Sequence, residues 1–421
     1  MKESAESHDT IMTAGSTASA FPKAVKSPVN QQQGEIHVLR TLEQIQAIRP
    51  IWEALQSESG GNIETDFDRY ISLVESDQKY EPYILLLYNG GIPCAMLIGT
   101  RGPVRIDCQL GYLKVFRTTL CGVKITYGGY LGDFSEQTYN HLLDYLYTSI
   151  SEGLADVVRF EQLPRCGRLY SGIRKRPSIL CRSRFPKIDM HWQMKIPDSM
   201  ESFYAQRSSK TRQTLKRYSR QVEKKFQTQL IECISEDSLS KILSEAASVS
   251  SRTYQHALGW GLTDDAATRQ KLIAASRNGW LRLHLLRLGE KTCAFQLGFQ
   301  YRGTYFLQTM GFDPEMKKWR LGTALFLKIL EQLCRDSSVD CIDFGYGDAA
   351  YKRRFGTKYW YESTVYMFAP RVRPVLVNSI QSAVRGFSIG MRWTARKVGV
   401  EGMIKQKWRR LLQKSQKSDS K

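Results

Sequence analysis

A pattern of two apolar runs joined by a glycine turn occurs twice in the chain, about 200 residues apart. Short apolar runs bounded by such turns are typical of β-hairpins. A further apolar strand follows each copy after a predicted helix, which indicates two related α/β units with a cleft between them. Coincidence is the alternative, because short apolar strands resemble one another. The paired runs are 83–88 with 95–99 and 280–287 with 292–298, followed by 155–161 and 339–345.

At 421 residues, the chain suits two domains that each bury a core. We expect residues 35–195 to form the first half and residues 196–370 the second, with the junction near 187–199. Residues 1–34 are rich in Ser, Thr, Ala and Gln and predict a disordered tail. Residues 371–421 are expected to form a basic amphipathic tail.

Most of the net charge of +20 lies in two segments. Residues 202–225 carry eight Lys or Arg against one Glu, and residues 371–421 carry thirteen against two. The first segment predicts a helix capped at Ser208-Ser209, with Leu215, Tyr218, Val222 and Phe226 on its apolar face and a solvated basic face opposite. An anionic partner should therefore be met locally rather than by the whole surface.

The cysteines and histidines form no metal-binding pattern. Nine cysteines include no C-x-x-C pair, and six histidines show no H-x-x-x-H spacing, so we expect reduced thiols and no metal. His284 lies in an alternating run that predicts a solvent-facing strand position. The sequence also lacks an apolar run of membrane-spanning length and a signal peptide, which favours the cytoplasm.

A helix start with a glycine follows the predicted strand 305–310. Its residues are Trp319, Arg320, Leu321, Gly322, Thr323 and Ala324. The N–H groups at the start of a helix can bind an anion, and Gly322 lets a diphosphate approach the backbone. An ordinary helix start with a small residue for packing is the alternative.

The run D-F-G-Y-G-D-A-A-Y-K at 343–352 ends a predicted strand in a loop with two glycines. Asp343, Asp348, Tyr351 and Lys352 place two carboxylates, a phenol and an amine at one strand end, which favours a functional site. In the alternative interpretation the two aspartates cap turns and Lys352 pairs with one of them.

The order of hairpin, strand, W-R-L-G-T-A turn, helix and D-F-G-Y-G-D loop resembles the GNAT-type acyltransferases, in which a (Q/R)-x-x-G-x-(G/A) loop holds the acyl-CoA diphosphate. Gly322 and Ala324 match that loop, whereas Trp319 stands where Gln or Arg is usual. Within this superfamily the chain looks like the CelD-type (cellulose-biosynthesis, BcsL-like) branch, distantly similar to FemAB-type transferases. The resemblance covers most of 36–370 and implies an α/β fold of tandem GNAT-like units, with mixed central sheets flanked by helices.

The resemblance also implies roles for individual residues. Acyl-CoA would be the co-substrate, held by 319–324. Asp348 would be the general base and Tyr351 the general acid, while a backbone N–H of the strand before Gly311 would contact the oxyanion. Lys352 would belong to the catalytic residues and, together with Arg212, would bind acceptor or phosphate. Asp343 and Tyr346 would complete the substrate-binding residues.

Three functions remain open from the sequence. The first is N- or O-acylation of a sugar or polysaccharide precursor in exopolysaccharide or cellulose biosynthesis, implied by the CelD-type resemblance. The second is a tRNA-dependent aminoacyl transfer that uses the basic helix, although few aromatic residues there suit base stacking. The third is a non-catalytic binding module. This function stays open because Trp319 stands where the acyl-CoA loop usually has Gln or Arg.

The tail of 371–421 has its own two interpretations. Leu376, Ile380, Val384, Phe387 and Met391 recur at helical spacing among arginines. A basic amphipathic helix of this kind predicts peripheral contact with an anionic membrane. Docking on the protein's own second domain is the alternative.

Overall fold

The computed structural model describes residues 34–110, 113–253, 256 and 261–397. The tail predicted to be disordered therefore lies outside the described residues, except for Gly34. Within the described residues, twelve strands form one mixed sheet. They are β1 (Glu35–Leu39), β2 (Glu81–Asn89), β3 (Ile92–Leu110), β4 (Leu113–Gly132), β5 (Val157–Pro164), β6 (Ile188–Lys195), β7 (Thr228–Cys233), β8 (Leu281–Leu288), β9 (Lys291–Tyr301), β10 (Thr304–Phe312), β11 (Cys341–Tyr346) and β12 (Lys358–Phe368).

Helices connect these strands, so the predicted α/β fold with a mixed sheet flanked by helices is confirmed. A short 3-10 helix, Pro314–Trp319, directly precedes the helix Leu321–Leu333. The α-helices are α1 (Leu42–Ala47), α2 (Arg49–Ser59), α3 (Phe67–Ser76), α4 (Glu136–Ser151), α5 (Arg168–Lys175), α6 (Met200–Ala205), α7 (Ser209–Lys225), α8 (Glu236–Ser251), α9 (Ala266–Arg277), α10 (Leu321–Leu333), α11 (Ala350–Phe355) and α12 (Val372–Lys397).

The sheet has two halves with the same internal pattern. Its order is β1-β2-β3-β4-β5-β12-β6-β11-β10-β9-β8-β7. Read inwards from either edge, four strands are antiparallel, the fifth is parallel to the fourth, and the sixth is antiparallel to the fifth. The two hairpins form as predicted. Such repetition supports duplication of one α/β unit, although the amino-acid pattern alone left coincidence open.

Each half of the sheet is completed by a strand from the other part of the chain. Strand β6 lies beside β11, while β12 lies beside β5, and the two exchanged strands pair with each other at the centre. The segment that we expected as the junction, 187–199, therefore contains β6. Side chains from both halves consequently meet at the middle of the sheet.

Two local expectations were wrong. The apolar spacing from Leu42 to Trp52 predicts one amphipathic helix. The structure has two, α1 and α2, because Pro50 at the start of α2 cannot donate the backbone hydrogen bond that a continuous helix would need. His284 is buried rather than solvent-facing, with Nε2 3.4 Å from a carboxylate oxygen of Glu232. Both faces of β8 are covered, so the alternation of polar and apolar residues along this strand does not show which side chains are exposed.

The core of the second half fixes the loop that carries most of the predicted site. Phe326 of α10 packs against Phe344 of β11 and Phe355 of α11, with ring centroids 5.8 and 4.4 Å apart. All three rings are buried. The loop between β11 and α11 is thus held at both ends by the same core.

Candidate functional site

The parallel strands β10 and β11 separate at the place where the predicted site begins. They pair over three residues each, Thr304–Phe306 against Cys341–Asp343. Beyond Phe306 and Asp343 the two strands lead to α10 and to the loop before α11. The carboxyl ends of parallel strands lie at one edge of a sheet. The two predicted motifs, 319–324 after β10 and 343–352 after β11, therefore both lie at the edge where these strands separate.

A β-bulge lies in β10 beside the opening. The register of β10 against β9 shifts between Leu307 and Thr309, so Gln308 is the extra residue. A bulge leaves the extra residue's backbone outside the regular ladder. Gln308 therefore offers a backbone N–H in the strand before Gly311, where the sequence placed an oxyanion contact.

The start of α10 presents backbone and positive charge. Arg320, its N-cap residue, adopts a left-handed conformation (φ 53°) and makes no side-chain cap. The side chains of Leu321 and Ala324 are buried, so these two residues can contact a ligand only through their backbone atoms. Lys317, Lys318 and Arg320 are exposed around this helix start. An anion such as a diphosphate suits this position.

Trp319 has a packing role at the same turn. Its ring meets Phe226, which follows α7, edge to face with centroids 5.1 Å apart. Trp319 also packs against the core of the second half. The departure from Gln or Arg therefore replaces a polar side chain with an aromatic ring that connects the turn to α7.

The equivalent helix of the first half is unsuited to an anion. The Ser135 side chain accepts a hydrogen bond from the N–H of Thr138 and so caps α4, and the Asp133 carboxylate accepts from the N–H of Ser135. Glu136 adds another negative charge in the first turn. These groups occupy the helix start and repel an anion, so the two halves differ in their capacity to hold a diphosphate.

Lys352 closes the loop between β11 and α11. Its Nζ donates to the carbonyl oxygens of Gly345 and Tyr346, at 3.0 and 2.7 Å. Burial lowers the pKa of Lys352 to about 8, and the charges of Asp343 and two other aspartates offset only part of that effect. Gly345 has a φ of 67°, which only glycine adopts without strain. Lys352 thus binds backbone carbonyls rather than an aspartate.

The other predicted residues lie around this loop. Asp348 is half-exposed and pairs with Arg353 at 3.1 Å. Tyr351 is partly buried and packs edge to face on Phe344, with centroids 6.2 Å apart. Tyr346 is exposed at the end of β11, and Arg212 lies in the first turn of α7. These assignments remain proposals.

A buried histidine between two carboxylates lies at the centre of the sheet, and sequence reasoning missed it. His191 Nε2 is 2.8 Å from Asp343, and Nδ1 is 3.1 Å from Glu362. Burial acts to lower the pKa of His191, but the hydrogen bonds and charges of the two carboxylates outweigh it and raise the pKa to about 9. The imidazole therefore carries a positive charge at neutral pH.

Two aromatic residues complete this cluster. The His191 ring stacks on Trp360 and on Tyr127, with centroids 4.3 and 6.0 Å apart. Both aromatic residues also donate to one Glu362 oxygen, at 2.7 Å from Trp360 Nε1 and 3.2 Å from the Tyr127 hydroxyl. Asp343 in turn accepts from the N–H of Gly345 at 2.6 Å. The cluster thus connects β4, β6 and β12 to the loop that Lys352 closes.

The sequence held one weak signal for this cluster. Asp189, His191 and Gln193 alternate with apolar residues on β6, a pattern that fits a strand with one polar face. That strand lay within the expected junction, and its partners are 152 and 171 residues away along the chain. Within the described ranges, no group of three or more His, Cys, Asp or Glu side chains is arranged to hold a metal ion.

Known proteins share parts of this architecture. Residues 209–353, from α7 to α11, match the model of the family described as acetyltransferase (GNAT) domain, over about a third of the chain. FemX superposes with a TM-score of 0.55 at 11% identity, covering 82% of this chain and 100% of FemX. This likeness concerns the fold alone. No curated protein matches the chain by sequence.

Two further solved structures are more distant. L-PGS from Bacillus licheniformis has a TM-score of 0.47 at 14% identity, covering 80% of this chain and 96% of that one. A tandem GNAT protein from the clavulanic acid biosynthesis pathway has a TM-score of 0.45 at 10% identity, covering 80% and 100%. Through residues 209–353 the chain carries an acetyltransferase domain of the GNAT family, and it is therefore an acyltransferase.

Proposed function

We propose that this enzyme transfers an acyl group from acyl-CoA to an amine or hydroxyl of a sugar or polysaccharide precursor in the cytoplasm, as in exopolysaccharide or cellulose biosynthesis. The difference between the two helix starts carries the proposal. The start of α10 has no side-chain cap and is surrounded by basic residues, whereas the start of α4 is capped by its own Ser135 beside two acidic residues. The acyl-CoA diphosphate therefore belongs to the second half.

The proposed reaction is a direct attack of the acceptor on the thioester carbonyl. Asp348 takes the proton from the attacking nitrogen or oxygen, and the backbone N–H of Gln308 stabilises the negative charge on the carbonyl oxygen. The carbon–sulfur bond then breaks, and Tyr351 protonates the departing thiolate. Lys352 holds the loop in place through Gly345 and Tyr346, since its Nζ is engaged with their carbonyl oxygens.

Aromatic surfaces support a saccharide acceptor. Tyr346, Tyr359 and Tyr361 are exposed on the strands that flank β6. Aromatic rings offer flat apolar faces with a polar edge, which suits the alternating apolar and hydroxyl surfaces of sugars.

Acyl-CoA binding tests the proposal most directly. We expect calorimetry to show binding of acetyl-CoA or a longer acyl-CoA, and Arg320→Asn to weaken it about tenfold through loss of one charged contact. Asparagine tolerates the left-handed backbone at this position. Substitution of Gly322 would be ambiguous, because a Cβ there would lie 3.3 Å from Met310 and from Phe312 in the core.

Arg302→Asn is the matched control, since Arg302 is another exposed arginine with a left-handed backbone (φ 44°). It should leave binding unchanged. Equal effects of the two substitutions would indicate a change in the backbone rather than a contact with the diphosphate. Wild-type protein that binds neither acyl-CoA would refute the proposed donor.

A tRNA-dependent aminoacyl transfer is the second candidate, and one observation favours it. The helix α7 exposes Lys216, Arg217, Arg220, Lys224 and Lys225, while its apolar residues Leu215 and Val222 are buried. A solvated basic helix of this kind can bind a phosphate backbone. Salt-dependent binding of tRNA by a protein that does not bind acyl-CoA would favour this candidate.

A further inference from the structure

The C-terminal helix α12 contacts the rest of the protein through two apolar residues, Val377 and Val384, and through several polar ones. Asn378, Gln381, Ser382 and Ser388 are buried. The Asn378 amide donates to the carbonyl oxygens of Leu180 and Arg182, at 2.7 and 2.9 Å. A surface helix usually buries its apolar side instead. Here the apolar stripe predicted from the sequence is mostly not used for docking on the protein.

The apolar side chains of α12 are instead largely exposed. Leu376 is 58% exposed and Phe387 62%. They are eleven residues apart, which is about three helical turns, so they lie on the same side of the helix. The exposed apolar positions along this side are Val372, Leu376, Ala383, Phe387 and Met391, with Ile380 partly exposed.

A second exposed apolar segment lies next to this helix. Ile179 is 60% exposed, and Leu180 and Phe185 are also exposed. The Arg385 guanidinium of α12 donates to the Phe185 carbonyl oxygen at 3.2 Å, and Asn378 contacts the Leu180 carbonyl oxygen. These contacts hold the 179–185 segment beside α12, and we call the exposed apolar side chains of the two elements the α12 face. It comprises the exposed stripe of α12 together with Ile179, Leu180 and Phe185.

The α12 face is strongly basic. Residues 165–188 contain eight Lys or Arg and residues 372–397 contain five, and neither range contains an Asp or Glu. Several guanidinium groups bind neutral backbone carbonyls, as Arg182 does with Arg174, Arg184 with Ile179, and Arg385 with Phe185. A carbonyl orients an arginine without neutralising it. Arg176 and Lys187 are paired with Asp144 and Asp189, whereas the charge of the arginines that bind carbonyls remains available to an anionic partner.

We infer that the α12 face binds the surface of an anionic lipid bilayer, with the exposed apolar stripe of α12 in the boundary between headgroups and acyl chains. Exposed apolar residues flanked by basic residues fit such a boundary, because the lipid offers apolar chains beside negative headgroups. The basic helix α7 lacks the apolar component, since Leu215 and Val222 are buried. None of the described helices combines the length and apolarity that crossing a bilayer requires.

Binding of the full-length protein to vesicles tests this inference. We expect flotation with vesicles that contain phosphatidylglycerol and much weaker association with pure phosphatidylcholine. The double variant Leu376→Ser/Phe387→Ser should reduce partitioning at least about tenfold, because two large apolar side chains lose their contact with lipid. Its matched control is Leu73→Ser/Ile92→Ser, which changes two similarly exposed apolar residues, one on α3 and one at the start of β3.

Three outcomes would overturn the inference. The first is equal vesicle binding by wild type and Leu376→Ser/Phe387→Ser. The second is loss of binding only when the exposed α7 residues are changed in Lys216→Gln/Arg217→Gln, which would place the contact on α7. The third is a concentration-dependent dimer in ultracentrifugation that the Leu376→Ser/Phe387→Ser variant abolishes, which would assign the α12 face to a second copy. Acyl-CoA binding should be unchanged by this variant, so this test is independent of the proposed function.

Discussion

His191 allows the most quantitative test of the central cluster. The shift of its pKa from 6.5 to about 9 corresponds to about 3 kcal/mol of folding stability. The folded state holds the proton more tightly than the unfolded state does. This contribution is therefore fully present below pH 6.5 and is lost as the pH rises through 9. His191→Gln should lower the free energy of unfolding by about 3 kcal/mol at pH 6.

The assay is urea unfolding at intervals from pH 6 to pH 10, with the free energy difference between wild type and His191→Gln taken at each pH. Titrating groups far from His191 are present in both proteins and cancel in the difference, which therefore reports on His191 and on the two carboxylates that it contacts. The difference should shrink by about 3 kcal/mol across this range. An NMR titration of the histidine ring protons should show one midpoint near 9 in the wild type.

Trp360→Phe provides the control for His191→Gln. It removes the 2.7 Å hydrogen bond to Glu362 and retains the imidazole and both carboxylates. Its stability difference from wild type should therefore be nearly independent of pH. Parallel curves for wild type and His191→Gln would refute the argument that the two carboxylates hold His191 as a cation in the folded state.

Three further predictions concern the loop between β11 and α11. Asp348→Asn and Tyr351→Phe should each lower kcat of acyl transfer at least about a hundredfold with little change in stability, and full turnover in steady-state assays would remove these roles. Lys352→Met should destabilise the protein by about 2 kcal/mol and speed amide hydrogen exchange in 345–349, because two hydrogen bonds to backbone carbonyls are lost. Unchanged exchange would contradict the role of Lys352 in anchoring the loop. Gly345→Ala should lower the free energy of unfolding, measured in urea, by about 1 kcal/mol. The left-handed backbone alone accounts for this loss, since no atom lies within 4 Å of the added Cβ, and a much larger loss would indicate a missed contact.

The amino-acid sequence by itself determined the local elements of this protein. The two hairpins, the helix α7 with its Ser208 cap, the helix start at Leu321 and the glycine loop before α11 all form where the pattern predicted them. Each depends on residues a few positions apart, whose turn and capping preferences act within the segment. The same local signals indicated the basic turn at which we propose that the acyl-CoA diphosphate binds.

Only the tertiary structure decided how distant segments meet. The exchange of β6 and β12 brings His191 between Asp343 and Glu362, and no local preference records that pairing. Likewise, the periodic apolar stripe of α12 predicted an amphipathic helix but not which side would be buried. Polar contacts such as those of Asn378 with the 180–182 backbone settled that choice. Such long-range arrangements follow from packing the whole chain, because buried polar groups require partners that the local sequence does not supply.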